Sequence, residues 1–257
     1  MNAKKTKKIV VLATGGTIAG LASDAAQPQN YKAGQVDIQD LVVTVATPSI
    51  ELVTEQIAQI DSKDMTFAIW QSLLTRVSDW LDHEDVQGVV ITHGTDTLEE
   101  TAFFLQTVLK PHKPVAFTCA MLPANAPDSD GPANLQEALN WVKRDDAQGV
   151  AVVCAGQVHR GDVVQKTNSQ QRNPFTSQLE VNGPRDLTLP TLSQVLACTQ
   201  WPRVEIVMNH AAADGRLVRA MTAHDAPHGW VVAGTGNGTL SHDLEAELLE
   251  AQRKGAC

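Results

Sequence analysis

Short apolar runs alternate along most of this chain with segments in which apolar residues return every three to four positions. The runs Ile9–Ala13, Leu52–Ile60, Val86–Thr92, Val115–Cys119, Val150–Cys154, Val204–Met208 and Trp230–Ala233 predict strands. Between them, Met65, Ile69, Leu73 and Val77 line one helical face behind Ser62, read as its N-cap. Thr97 and Glu100 read as a capping box, with Leu98, Ala102, Leu105 and Leu109 as the buried stripe behind it. Pro132 reads as the first residue of a helix running to about Lys143, and Thr239 precedes another that carries Leu240, Leu244 and Leu248. Gly255 stands where a C′ glycine belongs, and the pattern predicts one more strand beyond Cys257. Strand–helix alternation of this kind predicts an α/β fold, a three-layer parallel sheet with helices on both faces.

Two stretches break the pattern. Residues 20–36, with a single Pro and Tyr31, read as a mobile loop directly after the first strand. Residues 165–190 are polar and hold Pro174, Gly183, Pro184 and Pro190, which reads as a linker. The expected division is therefore an N-terminal domain over 1–165, a linker over 166–190 and a small, shortened α/β domain over 191–257.

Composition narrows the function. A net charge of −9 leaves no basic footprint for nucleic acid, and the lysines at 4, 5, 7 and 8 read as a solvated tail. The apolar stretch behind them, Ile9–Ala13, is too short for a signal peptide, and no run is long enough to span a membrane, so a cytoplasmic protein is expected. Cys119, Cys154, Cys198 and Cys257 are widely spaced, without ligand spacing for zinc. Cys119 and Cys154 read as small core residues at strand ends, and no metal is expected.

The chemistry concentrates in two turns. Thr14-Gly15-Gly16-Thr17 follows the first strand, and His93-Gly94-Thr95-Asp96-Thr97 follows the third. Both lie at the carboxyl edge of the expected sheet, where open α/β folds place their ligands. A threonine hydroxyl becomes a useful nucleophile only when a neighbour takes its proton, and opening an amide also needs donors aimed at the oxyanion. Glycines at 15 and 16 would let main-chain N–H groups approach a substrate closely. A phosphate loop is excluded because no lysine follows Gly20. Asp96 could hold an ammonium group. Lys166, in a polar stretch, reads on its own as a solvated charge. Gly234–Gly238 is G-x-G-x-G, an incomplete dinucleotide loop, and Asp128–Gly131 lacks the glutamate of a calcium loop because Leu139 stands there.

Taken together, Ala13–Gly20, Asn30-Tyr31, Ser62–Met65, Ile91–Thr97, Ala120–Pro123, Asp130–Leu135, Lys166–Asn168 and Gly236–Gly238 resemble, in order, the bacterial L-asparaginase family and its type II branch. The resemblance implies a flavodoxin-like first domain and hydrolysis of L-asparagine, or of L-glutamine, without a cofactor. It implies that Thr17 attacks the amide, aided by Tyr31 as residues 20–36 close as a lid. Thr95, Asp96 and Lys166 would form a second trio, in which Lys166 polarises Thr95 and Asp96 holds the substrate's α-amino group. Gly16, Ser62, Lys63 and Ala120 would line the substrate, Ser62 and Lys63 at its α-carboxylate. It further implies a homo-oligomer, a tetramer of close dimers, in which the loop around Gly238-Thr239 completes a neighbour's site. The chain departs from the family at Lys63, where glutamine is common, and at Leu122, where arginine is usual. Family chains also continue past the last helix. Three competitors follow: a broader amide hydrolase, a substrate-binding remnant without turnover, and a nucleotide-binding module using Gly234–Gly238.

Overall fold

The computed structural model describes residues 7–25, 27–45, 51–177 and 189–257. Its elements are β1 (Lys8–Gly15), β2 (Leu21–Ala22), β3 (Tyr31–Lys32), α1 (Ile38–Val43), β4 (Glu51–Ile60), α2 (Phe67–Asp82), β5 (Val86–Thr92), α3 (Leu98–Leu109), β6 (Val115–Thr118) and α4 (Gly131–Val142). There follow β7 (Val150–Cys154), β8 (Gln157–Arg160), β9 (Val164–Lys166), β10 (Phe175–Ser177), α5 (Leu192–Leu196), β11 (Val204–Met208), α6 (Arg216–His224), β12 (Gly229–Ala233) and α7 (His242–Arg253). The chain divides into two compact units, Met1–Ala197 and Cys198–Cys257.

The first unit is built on a six-stranded sheet in the order β4-β1-β5-β6-β7-β8, parallel except for β8. In chain order the five parallel strands run 2-1-3-4-5, the flavodoxin-like arrangement. Because strand side chains alternate, each strand feeds two cores. Val10, Leu12, Val89, Ile91, Val115 and Phe117 pack against Leu73 and Val77 of α2 and Leu98 and Leu105 of α3. Ile9, Val11, Ala13, Val90 and Ala116 pack against Ile38 and Val42 of α1 and Leu135, Leu139 and Val142 of α4. Cys119 and Cys154 are fully buried, their sulfurs 3.5 Å apart across neighbouring strands.

Four local expectations are corrected. Ser62 does not cap α2: it opens a single 3₁₀ turn, Met65 lies outside the helix, and Thr66 caps it by accepting from the Ile69 N–H. The Asp61 carboxylate caps that separate turn by accepting from the Lys63 N–H, and the turn ends where Met65 is extended. Thr97 takes the N-cap position of α3, but no capping box forms, because its hydroxyl donates to the Ser62 carbonyl instead. The helix after Thr239 starts at His242, with Ser241 as its cap. Within 20–36 the short β2–β3 hairpin gives order: Asn125 grips Ala22 through both its N–H and its carbonyl, and the Ala124 N–H donates to the Gly20 carbonyl. Residues 178–188 of the expected linker, and Ala26 of the expected loop, lie outside the described residues.

The second unit is a parallel pair, β11 and β12, registered Val204 to Gly229 through Met208 to Ala233. Val207, Val218 of α6 and Leu244 and Ala251 of α7 form its core, with Trp230 and Leu248 against it. Gly255 takes a left-handed φ of 102° after α7, as a C′ glycine does. Cys257 then bonds to both His228 and Trp230, as a parallel neighbour of β12 would.

Asn134 of α4 holds several ends of this frame together. Its amide donates to the Cys119 carbonyl and to Asp130, and its oxygen accepts from the Ala155 N–H at 2.9 Å. Asn134→Ala leaves at least two main-chain groups unpartnered. A loss of about 2–4 kcal/mol is expected in urea unfolding; an unchanged midpoint would show that water replaces the amide.

Candidate active site

Thr17, Ser62, Thr95 and Ala120 each follow the carboxyl end of a strand, β1, β4, β5 and β6 in that order, and these four strands are adjacent. The chain order reverses between β1 and β5, so the site sits at the switch point of the sheet. The two threonine turns can meet there only because their glycines carry no side chain. A Cβ on Gly16 would stand 2.3 Å from the Gly94 nitrogen, and one on Gly94 would stand 2.6 Å from Ser62 Oγ. The φ of +79° at Gly16 is a second reason for glycine. The role expected for its N–H is not what the geometry gives: that group donates to the Ile60 carbonyl at 2.7 Å and is already engaged within the fold.

Thr17 opens a 3₁₀ turn and is nearly buried, 7% exposed. Its Oγ1 lies 2.7 Å from the hydroxyl of Tyr31, which the β2–β3 hairpin brings back over the turn. Thr95 is buried beside it in the sheet order, and Lys166 Nζ donates to Thr95 Oγ1 at 2.9 Å and to Asp96 Oδ1 at 2.6 Å. The Lys166 side chain is 17% exposed, so the ammonium is aimed at these two groups and is not a free surface charge. Ser62, 2% exposed, accepts from the Asp96 N–H and is donated to by Thr97 at its carbonyl, which joins the β4 turn to the β5 turn. Lys63 is mostly exposed, with its ammonium paired to Asp61. That bond, and then the charges of Asp61, Asp64 and Asp96, raise its pKa. Ala120 is buried, and the Asp130 carboxylate accepts from the next two main-chain N–H groups, Met121 and Leu122. Thr239 belongs to the second unit, where it closes a turn with Thr235.

Several residues around these turns are not legible in the sequence as parts of a site. Asp130 reads there as a plain turn residue, although it positions the chain after Ala120. Asn125 and Glu99 give no signal, because a side chain that bonds distant main chain has no characteristic spacing. His93 is fully buried behind Thr95. Its Nδ1 faces the Gly94 carbonyl at 2.7 Å, so that nitrogen carries the proton. Its Nε2 then accepts from Thr101 Oγ1, and Trp70 Nε1 donates to that same oxygen. Among the described residues no three His, Cys, Asp or Glu side chains cluster to hold a metal ion, and no helix is long and apolar enough to cross a membrane.

Known proteins share this frame. The family model for the asparaginase N-terminal domain matches residues 8–183. L-asparaginase 2 of Escherichia coli (strain K12) is 37% identical over 96% of this chain and 75% of its own length. The glutaminase-asparaginase of Pseudomonas fluorescens biotype A is 33% identical over 98% of the chain and 74% of its own length. The crystal structure of a probable cytoplasmic L-asparaginase from Campylobacter jejuni superposes with a TM-score of 0.86 at 32% identity, covering 98% of this chain and 82% of that one. The chain belongs to the asparaginase family. It is therefore an enzyme, of amidohydrolase type.

Burial lowers the His93 pKa from 6.5 to about 4. The unfolded chain thus binds this proton at a higher pH than the folded one. Stability from this group is complete above pH 6.5 and is lost, by up to about 3 kcal/mol, as pH falls toward 4. Nitrogen NMR of the imidazoles at pH 5.5 is expected to find His93 neutral and protonated at Nδ1; a His93 signal titrating near 6.5 would contradict the burial argument.

Proposed function

We propose that this asparaginase hydrolyses L-asparagine to L-aspartate and ammonia through an ester on Thr17. The Thr17 proton passes to the Tyr31 oxygen as Oγ1 attacks the side-chain amide carbon, the Tyr31 hydroxyl passes its own proton on toward the departing nitrogen, and the C–N bond breaks as that nitrogen leaves as ammonia. Water then attacks the ester carbonyl, the bond from the acyl carbon to Thr17 Oγ1 breaks, one proton of that water restores the Thr17 hydroxyl, and the side-chain carboxylate of aspartate is released. The observation that carries this reading is the 2.7 Å contact between the Thr17 and Tyr31 hydroxyls in a turn that is otherwise buried.

The second trio supports the same reaction. An ammonium 2.9 Å from Thr95 Oγ1 lowers the cost of negative charge on that oxygen, which can then direct water to the acyl carbon. Asp96 keeps a carboxylate for the substrate's α-amino group, and Ser62 with Lys63 is assigned to its α-carboxylate. Ala120 contributes a main-chain carbonyl beside the amide nitrogen. Gly16 acts by its absent Cβ. Glutamine is the second reading, favoured by the relative named glutaminase-asparaginase. We further assign Thr239 to a site completed by another copy in a homo-oligomer. The enzyme is assigned to the cytoplasm, by analogy with the probable cytoplasmic L-asparaginase of Campylobacter jejuni.

Thr17→Ala is expected to lower the rate of ammonia release from asparagine by about 10³-fold or more. A drop of less than tenfold would shift the nucleophile to Thr95. Lys166→Met is expected to do comparable damage, and full activity in that variant would remove Lys166 from the reaction. Aspartate binding without ammonia release from either amide would mark a binding protein instead. Light scattering on the eluting protein tests the oligomer, and a monomer that turns over asparagine would release Thr239 from the site.

A further inference from the structure

Lys166 reaches the site from β9, a three-residue strand whose only sheet partner among the described residues is β10, Lys166 opposite Phe175. The apolar anchors of this ribbon are Val164 and Phe175, both sunk in the main core. Beyond Lys166 the turn is closed locally, with the Thr167 and Asn168 N–H groups donating to the Pro174 carbonyl. The Lys166 N–H, by contrast, leaves the ribbon: it donates to the carboxylate of Glu99, in the first turn of α3. Thr95 and Asp96 lie just ahead of that helix, so Glu99 ties the lysine's main chain to the element that presents the lysine's two partners.

We propose that Glu99 is a positioning residue, which holds the Lys166 main chain so that the ammonium falls on Thr95 and Asp96. The inference rests on the role assigned to Lys166 above. A lysine ammonium sits at the end of a four-carbon stem with many rotamers, so its aim depends on where its Cα is held. Small displacements of a catalytic group are costly, about 10²-fold for 1 Å in unfavourable cases. A glutamate in a first helical turn also complements the helix dipole, and this is the competing account. The two differ in what they need. A pin needs an acceptor oxygen, whereas the dipole needs a negative charge.

The test therefore uses Glu99→Ala and Glu99→Gln beside Lys166→Met. Glu99→Ala is expected to lower kcat about tenfold or more, with KM for asparagine changed by less than about threefold. Glu99→Gln keeps an acceptor oxygen and is expected to recover most of that loss. Independently of turnover, hydrogen exchange of the Lys166 amide in lysine-labelled protein is expected to be slow in the parent and in Glu99→Gln, and fast in Glu99→Ala. If Lys166→Met is itself fully active, the reading of Lys166 fails. If that variant is dead but Glu99→Ala keeps the parental kcat, the role of Glu99 is overturned. Glu99→Gln being as slow as Glu99→Ala would favour the charge over the pin and overturn it too, as would equal Lys166 exchange in all three proteins.

Discussion

The contact on which the site depends is one between two main chains. The turns after β1 and β5 approach so closely at Gly16 and Gly94 that a single added carbon on either would overlap the other turn or Ser62. Parallel pairing brings the strand ends side by side, Ala13 opposite Thr92, and the missing side chains let the turns close the remaining gap. Thr17 and Thr95 are thereby carried by turns at the ends of two paired, buried strands, not by independent loops. Everything polar around them is arranged on that base. Ser62 joins the third strand end, Asp130 fixes the chain past Ala120, and Asn134 ties the fourth and fifth together.

The charges at the site have unequal tasks. The Lys166–Asp96 pair is half open to water on the aspartate side, so its worth lies in orientation more than in stability. His93 contributes no charge at all near neutral pH, since burial holds it neutral between a carbonyl and a hydroxyl. A neutral imidazole there keeps the wall behind Thr95 free of a competing cation, and leaves the ammonium of Lys166 as the positive group beside that hydroxyl.

The parallel strands of both units were legible as continuous apolar runs with sharp ends, and both Val150–Cys154, buried throughout, and Val204–Met208, largely exposed, fall on the observed limits. Helix starts were harder to read. Ser62, Thr66 and Thr97 are all plausible caps by residue type, and which of them caps is decided by tertiary partners such as the Ser62 carbonyl. The ribbon that carries Lys166 was invisible, because two three-residue strands leave no periodic trace, and a lysine in a polar stretch looks solvated until the fold turns it inward. The threonine turns themselves stood out because glycine and hydroxyl recur at two strand ends, with an acid, Asp96, at the second. The side chains that support them, Glu99, Asn125, Asp130 and Asn134, act on distant main chain, which no spacing announces; Asp130 and Asn134 lie in a stretch that stood out by family resemblance alone, without a sign of what they hold.

The account stands or falls on the hydroxyl of Thr17 forming a bond to the substrate's acyl carbon. A slowly turned-over electrophilic amide analogue, mixed with the folded protein and quenched in acid, allows the adduct to be located by peptide mass spectrometry. One acyl group on the peptide carrying Thr17, absent when Tyr31 is changed to phenylalanine, is the result expected. An acyl group on Thr95 instead, or turnover with no adduct on any threonine, would contradict it.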